Sequence, residues 1–315
     1  MAMDLQQTNA RALLIAPQPT AGTPVTLLPA THGMLVSKGS YRYSADELTR
    51  DIDKSGHGAM PFVNIKRRAQ FSGGIELRGA ATVGAASPIG RILRACGFAE
   101  TLTPATSAIY SLVTSGFEMF SLGGYEAGTL VSGMDGRGAL TKIELSIRNF
   151  AKAEFDLLAL GQAVPVSDAA VASPDLSAFQ APVAIETETF EVDIGGTKLN
   201  AISLSVDTNA QVDIYEGSEG LFVYLKEFYK PSGTLRVFKE QRSVFHPENV
   251  ALANTLQNIY GEVVGGGETL RLDLNSVQLG LAKSSEQDGL AAWDIPFKVV
   301  GSNATNCMAL SFLTV

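Results

Sequence analysis

Cysteine, tryptophan and histidine are scarce in this chain of 315 residues, with 2, 1 and 3 copies respectively. Cys96 and Cys307 lie far apart and have the spacing of neither a metal knuckle nor a redox pair, which points away from a disulfide scaffold or a structural zinc. A reducing compartment follows as the expectation. Long apolar runs are also missing. Met1 to Ala10 is polar and Ala12-Leu13-Leu14-Ile15-Ala16 is too short for a signal core or a span, so neither export by a cleaved signal nor membrane insertion is expected.

Catalytic constellations are equally thin. His246 precedes Pro247 and reads as a helix-entrance residue, while His57 lies in Asp51-Ile52-Asp53-Lys54-Ser55-Gly56-His57-Gly58, a loop composition. Asp51 and Asp53 look like half of a calcium loop, but the later ligands and the closing Glu are missing. No nucleophile elbow or dinucleotide fingerprint occurs, and Gly265-Gly266-Gly267 lacks the lysine of a phosphate loop. The expectation is a chain that is not an enzyme and takes no cofactor or metal.

What the sequence does contain is one local design used twice, about 160 residues apart. Alternating Phe71-Ser72-Gly73-Gly74-Ile75-Glu76-Leu77-Arg78 predicts a strand, followed by a helix with Ser87 as N-cap, Pro88 at its first position and Gly97 as its stop. Ile89, Ile92, Leu93 and Cys96 form its apolar stripe. The segment Pro231 to Phe238 and a helix after Pro247 repeat the scheme, with Leu252, Leu256, Ile259 and Tyr260 as stripe and Gly261 as stop. Downstream, Ile143–Ile147 with Glu154–Leu160, and Val277–Leu281 with Trp293–Val300, read as strand pairs. The fold expected is mainly β, a sandwich or half-barrel with one short helix in each of two tandem units. The first unit spans 1–161 and the second 185–315, across a Pro- and Ala-rich linker at 162–184. A chance match between two β segments is the plainer explanation of the echo.

Charge is uneven along the chain. Residues 1–165 carry 15 Lys/Arg and 13 Asp/Glu, a net of +2, whereas residues 166–315 carry 9 and 19, a net of −10. An acidic half argues against tight wrapping of nucleic acid, whose affinity comes from cations on phosphates. It is compatible with a surface along which DNA slides, and equally with simple solubility.

Two stretches carry a family resemblance. Ile92-Leu93-Arg94-Ala95-Cys96-Gly97-Phe98-Ala99-Glu100-Thr101, preceded by Phe71 to Gly79, resembles a signature of the major tail tube proteins of long, non-contractile-tailed bacteriophages. Leu130-Val131-Ser132-Gly133-Met134-Asp135-Gly136-Arg137-Gly138 resembles the family's glycine-rich turn before a strand, with Met134 and Asp135 departing from it. The resemblance is specific over 45–160 and general thereafter. It implies a virion tail protein, assembled in the bacterial cytoplasm, whose inner strands join those of neighbours into a barrel around a channel. A duplicated chain would build a trimeric pseudo-sixfold ring, and a single-unit chain a hexamer. Stacked rings would polymerise around a tape measure protein, end at a tail terminator and pass double-stranded DNA into the host without retaining it. A secretion-system tube component and a soluble β-sandwich binding module are the alternatives.

Two sets of residues are candidates for these roles. The segment from Tyr43 to Gln70, with a loop at about 44–65, is the candidate stacking arm: Asp51, Asp53 and His57 in its polar part, Phe62 as apolar anchor, and Lys66, Arg67 and Arg68 facing acidic groups of a neighbour. An ordinary hairpin tip is the simpler reading. Alternation offers Glu144 and Arg148, Glu191 and Asp193, and Arg271 and Asp273 as lumen-facing, on a wall expected to be more acidic than basic.

Overall fold

The computed structural model describes residues 11–50, 60–170, 172–301 and 307–315. Alternating and β-branched segments dominate the sequence, and the fold is accordingly mainly β. The first half holds β1 (Arg11–Pro17), α1 (Pro29–His32), β2 (Gly33–Met34), β3 (Ser37–Thr49), β4 (Phe62–Glu76), α2 (Gly90–Ala95), β5 (Phe98–Thr103), β6 (Ser107–Leu112), β7 (Phe120–Glu126), β8 (Thr129–Ser146) and β9 (Lys152–Asp168). The second half holds β10 (Phe190–Ile194), β11 (Thr197–Leu199), β12 (Ala201–Asp207), β13 (Gln211–Gly217), β14 (Gly220–Glu227), β15 (Ser232–Phe238), α3 (Pro247–Leu252), β16 (Leu256–Gly265), β17 (Glu268–Leu279), β18 (Lys283–Gln287), β19 (Leu290–Val299) and β20 (Met308–Thr314).

All the pairings between these strands are antiparallel; most of them build two facing layers, while β7, β1 and β2 continue in that order from the first part of β8 and β13 pairs with β14 in a separate hairpin. The front layer runs β3-β4-β9-β8-β12-β15-β19-β18. The back layer runs β11-β10-β16-β17-β20-β6-β5. The end of β17 also pairs with β19, through Val277 opposite Val299, which ties the layers together. Between them lies one apolar core to which both halves contribute, including Phe71, Leu145 and Phe155 from the first and Leu204, Ile259 and Leu272 from the second. The layers are close-packed: a Cβ at Gly261 would come within 2.8 Å of Leu204 Cδ2 and 3.2 Å of Leu145 Cδ1.

The halves are thus joined by strands. Leu145 of β8 stands opposite Leu204 of β12, and Tyr110 of β6 opposite Leu310 of β20. The segment expected as linker begins inside a strand, since β9 runs to Asp168. A buried ion pair adds a polar tie. Arg78 Nη1 lies 2.7 Å from Glu268 Oε1, which also accepts from the Gly79 N–H at 2.9 Å. The same guanidinium donates to the carbonyls of Gly265 and Gly266 at 3.1 and 3.0 Å.

Helices α2 and α3 differ. In α2 the predicted stripe is realised, with Ile89, Ile92, Leu93 and Cys96 all buried and Gly97 in the left-handed region that ends the helix. Its start is later than expected: Ile89 is the N-cap, and Ser87 instead donates from Oγ to the Arg78 carbonyl. Burial pushes the Cys96 thiol well above its ordinary value, which makes it inert. The second stripe is a correction. α3 is N-capped by His246, whose Nδ1 accepts from Asn249 N–H at 3.3 Å, but it ends at Leu252. Asn254 then turns the chain at positive φ, and Leu256 and Ile259 fall in β16. Ile259 is buried as a strand residue, while Leu252 and Leu256 are 70% and 50% exposed. Gly261 is no stop either, since it lies within that strand at the close approach of the two layers.

The glycine-rich turn is likewise a bulge. Residues 133–138 stay within β8, whose register to β9 shifts between Met134 and Arg137. Asp135 adopts φ 52 and accepts from Gly22 N–H at 2.9 Å and from Gln18, which also takes the Asp135 N–H at 3.0 Å. Met134 and Asp135 are therefore employed structurally, Met134 in packing and Asp135 in holding the strand's bend.

Candidate functional site

The outer face of the front layer is polar and continuous across both halves. Register places Glu76 beside Lys152, Lys152 beside Glu144, and Glu144 beside Ser205. One step along, Glu154 faces Lys142 and Lys142 faces Asp207. Farther across, Arg236 faces Asp294, which faces Lys283. Glu144 lies 3.8 Å from Lys142 and 3.5 Å from Lys152, and Arg236 lies 2.9 Å from Asp294. The face is a mosaic in which Lys142, Lys152, Arg236 and Lys283 alternate with carboxylates.

Asp156 sits on this face beside a cavity of about 610 Å³ lined by Arg42, Gln70, Ser72 and Gln211. Burial raises its carboxyl above the ordinary value, with Glu154 adding to the effect. An acid whose folded pKa exceeds its unfolded one opposes folding once ionised, so its contribution is unfavourable at neutral pH and fades as pH falls through that window. Asp156→Asn should raise the thermal midpoint at pH 7 and lose that advantage in melts taken at progressively lower pH. A constant gain at all pH values would contradict this origin.

A separate hairpin lies over one end of the front face. Ile214 and Val223, from β13 and β14, pack on Leu158 and Leu160 of β9, with Met134 alongside. Tyr229, just beyond it, is buried: its hydroxyl donates to the Cys96 carbonyl at 2.6 Å and accepts from Leu140 N–H at 3.0 Å. The hairpin's outer side gathers Tyr215, Phe222 and Tyr224, with Tyr215 and Phe222 ring centroids 4.7 Å apart. Sequence analysis did not single out this cluster. The signal was present in the alternation of Val212, Ile214, Leu221, Val223 and Leu225 about Gly217-Ser218-Glu219-Gly220, which sets Tyr215 opposite Phe222.

The candidate arm is mostly strand, formed by the ends of β3 and β4, with Leu48 opposite Val63 and Thr49 opposite Phe62. Asp51, Asp53 and His57 lie outside the described residues. Phe62 is exposed, as are Leu48 and Val63 beside it, so the arm carries an apolar end. Lys66 and Arg68 have partners within the chain, Glu216 at 3.1 Å and Asp46 at 2.9 Å. Arg67 is exposed and forms no ion pair among the described residues.

No family model and no curated protein matches this chain. Among the described residues no group of His, Cys, Asp and Glu could hold a metal ion, and no helix is long and apolar enough to cross a membrane.

The six residues expected to face a lumen fall on different surfaces. Glu144 belongs to the front face. Arg148 lies past the end of β8, exposed, at positive φ and 3.3 Å from Asp288. Glu191, Asp193, Arg271 and Asp273 come together on the back face. There Arg271 holds Asp273 at 2.6 Å and Glu262 at 3.2 Å and lies over the Tyr260 ring, while Lys198 pairs with Glu191 at 2.5 Å. Burial raises the Asp273 carboxyl despite that arginine. The two groups lie on opposite sides of the sandwich, so one wall cannot display both.

Proposed function

We propose that the chain is a structural subunit that closes into rings and stacks into a phage tail tube, with the front layer as the channel wall. What carries the reading is the build of that layer. It consists of two like groups of four strands, β3-β4-β9-β8 and β12-β15-β19-β18, joined edge to edge at β8 and β12. Lys142 opposite Glu154 in the first group recurs as Lys283 opposite Asp294 in the second. The layer ends on open edges at β3 and β18, and open edges are satisfied by pairing with another chain. With two groups per chain, three chains give a pseudo-sixfold ring.

On such a wall Glu144 lines the channel, and the Glu191, Asp193, Arg271 and Asp273 group faces outward. DNA would slide because Lys142, Lys152, Arg236 and Lys283 each stand beside a carboxylate. A tape measure protein, a terminator and virion location complete this reading. Tyr215, Phe222 and Tyr224 favour the second reading, a monomeric β-sandwich that binds a ligand through exposed aromatics.

Negative-stain electron microscopy with mass measurement of the oligomers separates them. Hollow rings or tubes whose mass rises in threes are expected. Steps of six would keep the tube and discard the trimer, and a monomer at high concentration would favour the binding module.

A further inference from the structure

The chain contains one complete joint between strand groups and both unmated sides of another. At the internal joint β12 lies along β8, and the hairpin that prolongs β12 and β15 folds over Leu158 and Leu160 of β9. At the ends of the front layer, β18 presents an open edge, and β3 presents another that is prolonged, with β4, into the apolar arm.

The groups can be matched residue by residue. Glu154 and Asp294 hold like places, opposite Lys142 and Lys283. Neither β4-β9 nor β15-β19 shifts register from there, so counting along the strands sets Leu160 of the first group against Val300 beside the second. Leu160 is 7% exposed beneath the hairpin, whereas Val300 is 50% exposed. Val300 N–H donates to the Ser276 carbonyl at 2.9 Å, which continues the β17-β19 pairing and keeps the residue in line. Leu256 stands opposite Gln278, itself opposite Lys298, which puts this second exposed apolar residue on the same side. A surface covered in one group is bare in the other.

We propose that the β3-β4 arm of a second copy covers Val300 and Leu256 laterally, as the β13-β14 hairpin covers Leu160 within the chain. This rests on the ring reading and redirects the arm from the next ring to a neighbour in the same ring. The occupant suits the surface in three ways. The arm prolongs the two strands that correspond to those flanking the hairpin. Its end offers Leu48, Phe62 and Val63, all exposed. Its Arg67, which forms no ion pair among the described residues, comes from the half with net +2 and meets the half with net −10.

Cysteines at Val63 and Val300 test the contact in the full chain, with each single substitution as control and native Cys96 and Cys307 retained. After mild oxidation, non-reducing electrophoresis reads cross-links, while mass measurement of the reduced double variant reads assembly. The expected result is a ladder from Val63→Cys/Val300→Cys alone that stops at the number of chains in one ring. Rings without a ladder would overturn the lateral contact and leave the tube reading intact. A ladder running past the ring number would move the arm to the next layer and also overturn it. A reduced double variant and a wild-type chain that both stay monomeric at high concentration would overturn this contact together with the ring. Val300→Glu supplies a measure without cysteine: at least a tenfold rise in the concentration needed for assembly is expected, and unchanged assembly would count against the contact.

Discussion

Glu268→Ala is expected to lower unfolding stability by about 3–5 kcal/mol, because it leaves the Arg78 guanidinium buried without its carboxylate and the Gly79 N–H without an acceptor. Glu268 is 4% exposed, so water cannot replace the lost partner. The two residues belong to different halves, and the tie closes the β16-β17 turn onto the end of the β4 segment. Urea denaturation of both proteins would read the effect as a lower midpoint with an unchanged slope. A second comparison separates charge from shape: Glu268→Gln keeps the acceptor oxygen, so it should retain the Gly79 hydrogen bond and lose less. Equal losses for Ala and Gln would assign the whole effect to the ion pair.

Leu93→Ala should cost about 2–5 kcal/mol, and Leu252→Ala less than about 0.5 kcal/mol, although both were expected on the core-facing stripe of a helix. Leu93 is fully buried under the front layer, and its truncation leaves a cavity that close packing cannot collapse. Leu252 ends a helix of 6 residues and already meets solvent. Thermal melts of the two variants at one pH decide the matter. A large loss for Leu252→Ala in the monomer would mean that its side chain is covered after all, whereas a loss appearing only in assembled material would place it at a contact between copies.

The contrast between these helices marks what the sequence could and could not disclose. Strands whose inward and outward residues alternate, such as Ile143 and Leu145 against Lys142 and Glu144, were legible because one sheet face meets the core and the other water. The stripe of α2 was legible for the same reason. After Pro247 two periods coincide: Leu252, Leu256 and Ile259 fit a helix, while Ile259, Gly261 and Val263 fit a strand. The second period wins from residue 256 because β10 and β17 pair with that segment on both sides. Such pairing is long-range information, as is the joint of β8 with β12. The bulge at Asp135 was hidden likewise, because its stabilising partners Gln18 and Gly22 lie more than a hundred residues away. Faces of single strands could be assigned from alternation, but which strands share a face could not. For that reason Glu144 and Asp273 were grouped although they stand on opposite sides of the molecule.

The pairing of β6 with β20 has a consequence for synthesis. Residues 107–112 emerge from the ribosome about 200 residues before residues 308–314, yet one edge of β6 is completed only by β20. Until then that edge is unpaired and Tyr110 lacks the Phe312 ring that packs edge-on against it at 6.1 Å. The first half must therefore wait, partly formed, for residues 308–314. Contacts so distant in sequence slow folding. Closure of the sheet at β6 would thereby be deferred until residues 308–314 have been made, which leaves an open strand edge exposed for most of synthesis.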